Sequence, residues 1–362
     1  MTETVKPLRI LAINPGSTST KIAIFDSLRT VFQKSIKHSA EELAGFSIIT
    51  DQFAYRKELI VKELLAAGID IQEIGVVVGR GGMLKPIQSG VYEVNEAMIR
   101  DLKIGIMGQH ASNLGGIIAQ DLVKSIPGAK AYIADPVVVD ELSDVARIAG
   151  HPNFSRQSIF HALNQKAVAR SFARSIDKPY EELNLIVAHL GGGISVGVHE
   201  KGRVVDVNQG LDGEGPFSPE RSGTLPVSQL IRLSYSGKYT QEEVHRMVLG
   251  QGGLVAYLGT NEASEVERRV KEGDQYALLI YEAMAYQVSK EIGACSVVLK
   301  GRVDAILLTG GVAFNERFVQ MVTFRIAWIA PVRVFTGEDE MRALALNGLL
   351  VSNGEIEPKV YI

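Results

Sequence analysis

A strand, a glycine-bearing turn and a second strand occur twice in this chain at a fixed interval, and a chain built on such a repeat is expected to fold as two like halves. The first copy runs Leu8-Arg-Ile-Leu-Ala-Ile-Asn14, turns through Pro15-Gly16-Ser17-Thr18-Ser19, and leaves as Thr20-Lys21-Ile-Ala-Ile-Phe-Asp26. The second runs Leu183-Asn-Leu-Ile-Val-Ala-His189, turns through Gly191, Gly192 and Gly193, and leaves as Ile194-Ser-Val-Gly-Val-His-Glu200. Asn14 and His189 stand 175 positions apart (189 − 14), as do Gly16 and Gly191 (191 − 16), and Asp26 is matched by Glu200 with one gap. Hydroxyls and backbone N–H groups crowded at such a turn suit phosphate oxygens, which offer many acceptors and no donors.

The spacing of apolar residues extends the pattern around each copy. Strands are expected at 8–14, 20–26, 30–38, 74–78 and 130–134, with helices over 52–67, where Phe53, Leu59, Ile60, Leu64 and Leu65 recur at helical intervals, and over 110–126. The pattern restarts with a helix at 156–175, the strands of the second copy and a third strand at Arg203–Val207. A long helix near 274–299, the strand Asp304-Ala-Ile-Leu-Leu-Thr309 ending at Gly310-Gly311, a further helix, and a last helix at about 339–351 complete the reading. Alternating strands and helices make this an α/β chain. The expected domains are 1–155, completed by the C-terminal segment from about 340 to 362, and 156–339.

Bulk properties narrow the partners. Of 362 residues, 46% are hydrophobic and 22% charged, a globular balance that excludes disorder. With 38 basic and 41 acidic residues the net charge is −3, which gives no electrostatic reason to expect nucleic acid or an anionic membrane as partner. Cys295 is the single cysteine, so no intrachain disulfide can form, and its apolar helical setting reads as a buried small hydrophobe. The start, Met1-Thr-Glu-Thr-Val-Lys6, has no apolar leader segment, and no run of 18 apolar residues occurs. A cytoplasmic protein is expected.

Several residues carry possible chemistry. No Walker-type loop exists, because the lone Gly237-Lys238 pair is followed by Tyr239. Gly193-Ile-Ser195-Val-Gly197 matches the hydrolase elbow in letters, but that device needs a strand leading into a helix, and here strand leads to strand. Gly79-Arg80-Gly81-Gly82 places an arginine between glycines at a strand end, where a planar guanidinium can grip a carboxylate or phosphoryl group at two points. Arg221 centres a second long loop, Gly213 to Gly223. Asp135, before Pro136, could hold Mg²⁺, usually through water. His110, His161 and His189 stand at helix or strand ends, and no HExxH or Cys/His cluster suggests zinc.

Taken together, Asn14-Pro-Gly-Ser-Thr-Ser19-Thr-Lys21, Gly79-Arg80-Gly-Gly-Met-Leu-Lys-Pro, Asp135-Pro, His189-Leu-Gly-Gly-Gly193-Ile-Ser, Asp212-Gly-Glu-Gly-Pro-Phe-Ser-Pro-Glu-Arg221-Ser-Gly and Leu308-Thr-Gly310-Gly311 resemble the acetate kinase family over essentially the whole chain. The resemblance implies the duplicated actin-like (ribonuclease H-like) fold with a nucleotide cleft between its domains. It implies that Asn14, Gly16, Ser17, Ser19 and Lys21 form the first phosphate turn, and His189, Gly191, Gly192 and Gly193 the second. Gly310 and Gly311 match the adenosine loop. Arg80 and Arg221 match the arginines that hold the carboxylate and the phosphoryl group in flight, Asp135 the catalytic and metal-associated aspartate, and His161 a histidine stabilising the transferring group. Glu340 aligns best with a C-terminal glutamate that assists Mg²⁺, with Glu338 and Asp339 as neighbours in contention.

Two departures are visible. Gly192 stands where acetate kinases carry Asn, and Ala162-Leu-Asn-Gln165 stands where they carry a further histidine after Phe160-His161. Both, with the loop around Arg80, point to the family's butyrate branch. The implied activity is reversible transfer of the ATP γ-phosphoryl group to the carboxylate of butyrate or a similar short or branched fatty acid, with ATP/ADP and Mg²⁺ as cofactors and a homo-oligomer, dimer or larger, as the assembly. A sugar or polyol kinase of the same fold, and a non-catalytic actin-like ATPase, stand as alternatives from the sequence. Acyl-chain length and physiological direction stay open at this point.

Overall fold

The computed structural model describes residues 7–337 and 339–362; the leader-free start read over residues 1–6 and the metal candidate Glu338 lie outside the described residues. The described chain forms two compact units, residues 7–139 with 339–362 and residues 140–337. Residues 140–155 hydrogen-bond within the second unit: the Glu141 carboxylate takes the buried Lys166 Nζ at 2.7 Å, and the Ser143 N–H meets the Val205 carbonyl at 2.9 Å. The division therefore falls after Val139, earlier than the boundary expected after residue 155.

The first unit holds β1 (Arg9–Pro15), β2 (Ser19–Asp26), β3 (Arg29–Lys37), β4 (Val76–Arg80), β5 (Val91–Glu93) and β6 (Lys130–Ala134) in the order β3-β2-β1-β4-β6-β5. The second holds β7 (Asn184–Leu190), β8 (Ile194–Glu200), β9 (Arg203–Val207), β10 (Ala305–Gly310) and β11 (Val332–Thr336) in the order β11-β10-β7-β8-β9. Read from the antiparallel edge, β3-β2-β1-β4-β6 and β9-β8-β7-β10-β11 are the same arrangement. β1 and β7 each pair antiparallel with the following strand and parallel with β4 and β10 respectively. The interval of 175 holds at both ends of the central strand (184 − 9 and 190 − 15). It falls to 174 at the third strand (203 − 29), and there each copy carries a β-bulge at the matching place: Val31 is skipped opposite Ile24/Phe25, and Val205 opposite Val198/His199. A bulge shared at an equivalent register is a copied feature of a duplicated half.

Burial explains the strand compositions. Ile10, Leu11, Ala12 and Ile13 of β1 are all wholly buried, because helices cover both faces of a sheet at its parallel strands. In the first unit the helix Asn113–Val123 lies against β4, and the C-terminal helix Glu340–Ser352 packs on β1 and β4. Gly79 and Gly115 let the first of these helices reach the strand end: a Cβ on Gly115 would stand 2.3 Å from the Arg80 carbonyl oxygen. In the second unit Leu185, Val187 and Leu307 meet Val168 and Phe172 of the helix Ala162–Ser175, while Ile186, Ala188 and Leu308 on the other face meet Tyr281, Met284 and Val288 of the helix Gln275–Val298. Cys295 lies buried in that last helix, where burial pushes its thiol up, in keeping with a hydrophobic role. The helix expected at 156–175 begins only at Ala162. Arg156 is instead tied down by the Ala146 and Val207 carbonyls and by Asp206, which keeps the stretch before His161 out of the helix.

Candidate active site

In the first unit the candidate residues gather at the carboxyl ends of the parallel strands β1, β4 and β6, where ligands of open α/β sheets bind. Asn14 stands one residue before the end of β1, Arg80 ends β4, and Asp135 directly follows Ala134, the β6 register partner of Arg80. The Arg80 guanidinium donates to Asn14 Oδ1 and to Glu340 Oε2, each at 3.3 Å. Asn14 Nδ2 also donates to Glu340 Oε2, so one carboxylate from the first turn of the C-terminal helix fixes both side chains. Glu340 is only 4% exposed, and the Arg80 side chain about one-fifth, so this ion pair is shielded while the arginine keeps an accessible edge. Asp339, its neighbour, points elsewhere, and its carboxylate caps the same helix by accepting from the Arg342 N–H.

Asp135 is buried in the left-handed region, at φ +37°, which side chains larger than glycine rarely adopt. Its Oδ1 accepts from the Ser89 hydroxyl at 2.6 Å and the Gly90 N–H at 2.8 Å, and its own N–H donates to the Gly90 carbonyl. Three hydrogen bonds to one short loop hold the strained backbone in place.

The turn between β1 and β2 rests on a residue that sequence reasoning missed. Arg56, in the helix Phe53–Ala66, is wholly buried beneath it. Its Nη1 donates to the Gly16 carbonyl at 2.8 Å, the Ser19 carbonyl at 3.2 Å and Thr20 Oγ1 at 3.0 Å; Nη2 reaches the Ser17 carbonyl at 3.3 Å and Gln52 Oε1 at 2.8 Å. Burial pushes the Arg56 pKa down, but a guanidinium stays charged in proteins. Among the described residues no carboxylate pairs with it. Carbonyls thus balance this cation on the inner side of the turn, while among the described residues the side chains of Ser17, Ser19 and Lys21 make no hydrogen bond or ion pair. Arg56, Ile60 and Leu64 fall at intervals of four on one buried helix face, so an arginine on an apolar stripe was the signal that could have found it.

In the second unit the equivalent strand ends carry the other candidates. His189 of β7 pairs in register with Ser195 of β8 and Thr309 of β10. Its ring stacks on that of His161 with centroids 3.7 Å apart and planes 9° apart, and its Nδ1 lies 2.8 Å from Asn164 Oδ1. His161 caps the helix Ala162–Ser175 in position, with Nδ1 2.9 Å from the Ser195 hydroxyl. Ser195 lies within β8 and leads to another strand, as the sequence pattern required. Gly191, Gly192 and Gly193 form the turn, and Gly193 is needed there: a Cβ would overlap the Arg221 guanidinium. Arg221 Nη1 donates to the Gly210 carbonyl, and burial lowers its pKa without neutralising it. Gly310, at φ +93°, brings the end of β10 onto the Leu190 carbonyl, 2.4 Å from where its Cβ would stand, so the glycine pair Gly310-Gly311 and the Gly191–Gly193 turn are neighbours. His110, the remaining histidine considered, bonds Ser112 beside its helix.

Compared with known proteins, residues 152–333 match the family model described as the Acetokinase family. The chain is 56% identical to Butyrate kinase 1 of Clostridium acetobutylicum over 353 residues, covering 98% of this chain and 99% of that one. It is 52% identical to Butyrate kinase 2 of the same organism, again over 98% and 99% of the two chains. Among solved structures, an acetate kinase from Porphyromonas gingivalis superposes with a TM-score of 0.77 at 17% identity, over 95% of this chain and all of that one. A propionate kinase from Francisella tularensis does so with a TM-score of 0.75 at 18% identity, over 94% and 98%. These likenesses carry the fold: the two-unit, duplicated actin-like α/β architecture is that of the acetate kinases.

The Arg56 arrangement gives an expected outcome. Arg56→Met keeps the bulk and removes six donor contacts, leaving the buried Gln52 amide oxygen and the turn carbonyls without their donor, so it should cost about 3 kcal/mol in a denaturant titration. A midpoint within experimental scatter of the parent protein would show that the turn holds without the cation.

Proposed function

This chain belongs to the acetokinase family, and on that premise we propose that it is a butyrate-type carboxylate kinase, moving the γ-phosphoryl group of ATP reversibly onto butyrate or a similar short or branched acid to give an acyl phosphate and ADP. The observation that carries the acceptor assignment is the full-length likeness to two clostridial butyrate kinases.

The residues suit the chemistry. A carboxylate is already a nucleophilic anion, so no side chain needs to deprotonate it. The barrier lies in bringing two anions together in line, and fixed positive charge and oriented donors lower it. In this reading the first unit presents Arg80 and the turn with Gly16, Ser17, Ser19 and Lys21, while Asn14 and Glu340 hold the Arg80 fork in one orientation. The second presents Arg221, pressed against Gly193, together with the Gly191–Gly193 turn and His189 as its phosphate-binding loop. Gly310 and Gly311 take the adenosine end of the nucleotide, and His161 donates a hydrogen bond to the transferring phosphoryl group.

The donor set fits Mg²⁺. Asp135 and Glu340 offer hard carboxylate oxygens, and Mg²⁺ ordinarily takes one or two carboxylates and completes its shell with water and substrate phosphates. Among the described residues no cluster of three or more His, Cys, Asp and Glu side chains exists, so the ion would lean on substrate oxygens and water more than on the protein. The ion, when bound, supplies neutralisation of phosphate charge. Among the described residues no helix is long and apolar enough to cross a membrane. A cytoplasmic location belongs to the proposal on the strength of the sequence reading. A homo-oligomer is also part of it: Phe324 and Trp328, at the end of one helix of the second unit, are 86% and 79% exposed, an unusual display of aromatic surface.

Three outcomes are expected. With ATP and hydroxylamine, the protein should yield a hydroxamate, most rapidly from butyrate in a series of acetate, propionate, butyrate, isobutyrate and valerate. Product from acetate alone, or none from any acid, would overturn the assignment. Arg221→Ala should keep a cooperative unfolding transition and lose roughly 10³-fold in turnover, and near-normal turnover would remove its role. Light scattering should give a mass that is a multiple of 39.3 kDa, and Phe324→Glu combined with Trp328→Ser should lower it; a monomeric parent protein would rule the assembly out.

A further inference from the structure

Behind His161 lies a buried chain of polar side chains that the reaction as described does not use. Gln165 Nε2 is 3.0 Å from the Ser195 carbonyl and 2.9 Å from the Ser195 hydroxyl; Gln165 Oε1 is 3.0 Å from His199 Nε2; and His199 Nδ1 is 2.7 Å from the Tyr180 hydroxyl. Gln165, Ser195 and His199 are each wholly buried. Room for the amide is built into β8, where a Cβ on Gly197 would stand 2.3 Å from Gln165 Oε1.

The direction of every hydrogen bond in this chain follows from one atom. The Ser195 carbonyl can only accept, so the Gln165 nitrogen faces it and donates. Gln165 Oε1 must then accept from His199 Nε2–H. His199 is held neutral, its pKa driven well down by burial and by the nearby Lys166 and Arg170 charges, so its Nδ1 accepts from the Tyr180 hydroxyl. At the other end, the Ser195 oxygen accepts from Gln165 Nε2 at 2.9 Å and from the His161 main-chain N–H at 3.4 Å, which occupies both of its lone pairs. The hydroxyl proton of Ser195 therefore points to His161 Nδ1 at 2.9 Å. An imidazole that accepts at Nδ1 carries its proton on Nε2.

We infer that Ser195 and Gln165 are positioning residues for the proposed phosphoryl transfer: the chain from the Ser195 carbonyl through Gln165 and the Ser195 hydroxyl fixes His161 as a neutral ring with its proton on Nε2 and its plane set against His189. The inference rests on the reading of His161 as a donor to the transferring group. It assigns the donor atom, Nε2, and explains how the ring holds that tautomer and orientation without a charge of its own. The stacked His189 ring, with centroids 3.7 Å apart and planes 9° apart, keeps the His161 plane from turning.

The test uses the full-length protein labelled with ¹⁵N-histidine, with the His161 ring signals identified by their loss in His161→Gln. Long-range ¹H–¹⁵N correlation of the parent protein at neutral pH should show His161 protonated on Nε2, with Nδ1 carrying the shift of an accepting nitrogen. Ser195→Ala should move that Nδ1 signal and lower kcat about tenfold to a hundredfold, with KM for ATP and for butyrate changed less than about threefold. Ser195→Thr, which keeps the hydroxyl, should restore most of the rate. Gln165→Met gives a second route to the same loss should Ser195→Ala fold poorly. A parent His161 ring protonated on Nδ1 would overturn the inference, as would Ser195→Ala and Gln165→Met variants that both keep kcat within twofold. Full turnover in His161→Gln would instead remove the donor role on which the inference stands.

Discussion

Each central strand, β1 and β7, is hydrogen-bonded antiparallel on one edge and parallel on the other, and the placement of the candidate residues at the strand ends depends on that asymmetry. The antiparallel edge demands a tight turn at the carboxyl end of the central strand. The parallel edge sets the carboxyl ends of β4, β6 and β10 beside that turn. One pairing rule therefore brings together Asn14, the Gly16–Ser19 turn, Arg80 and Asp135 in the first unit, and His189, the Gly191–Gly193 turn and Gly310 in the second. A purely antiparallel meander would have scattered these strand ends over both edges of the sheet. Duplication then repeats the solution down to a bulge at Val31 and Val205.

Within that frame, three arginines are held in three different electrostatic states. Arg56 is wholly buried with no carboxylate partner among the described residues and is balanced by main-chain dipoles, which turns the carbonyls of the β1–β2 turn inward. Arg80 is half-neutralised by Glu340, which is buried and shared with Asn14. Arg221 is largely desolvated against a glycine and a carbonyl. A buried cation with a full counter-charge contributes little field to a ligand, and one balanced only by dipoles contributes more. The turn over Arg56 is thus the position in the first unit where an anion gains most, and it is also where Ser17, Ser19 and Lys21 stand.

Much of this was legible in the sequence, for a physical reason. Two-fold periodicity, glycine at strand ends and the fixed interval of 175 are properties of local chain and repeat, and they located the central strands to within a residue. Residues whose role is local to a turn, such as Gly193 and Gly310, were legible for the same cause. Arg56, Gln165 and His199 were not, because each acts by pointing into the interior from a helix or strand whose pattern reads as ordinary packing. Ser195 and His199 lie 30 and 34 positions from Gln165, and Gly16 lies 40 from Arg56, so only the folded arrangement reveals the bonds. The late start of the helix at Ala162 had the same origin: Arg156 is claimed by Asp206 and Val207, some fifty residues on.

The neutral chain behind His161 complements these charged groups. In the proposed reaction both directions begin from polyanions, a nucleotide with a carboxylate or a nucleotide with an acyl phosphate. Arginine charge binds reactants and products alike, and uniform binding of that kind lowers KM without raising kcat. A further imidazolium would deepen both ground states. A neutral N–H of fixed direction gains most where the equatorial oxygens of the transferring group move into line with it, which is differential stabilisation of the transition state. Fixing that direction takes a hydrogen bond to Nδ1 that does not itself bring a charge. A carboxylate at that place would favour the imidazolium, whereas a serine hydroxyl oriented by a glutamine amide leaves the ring neutral.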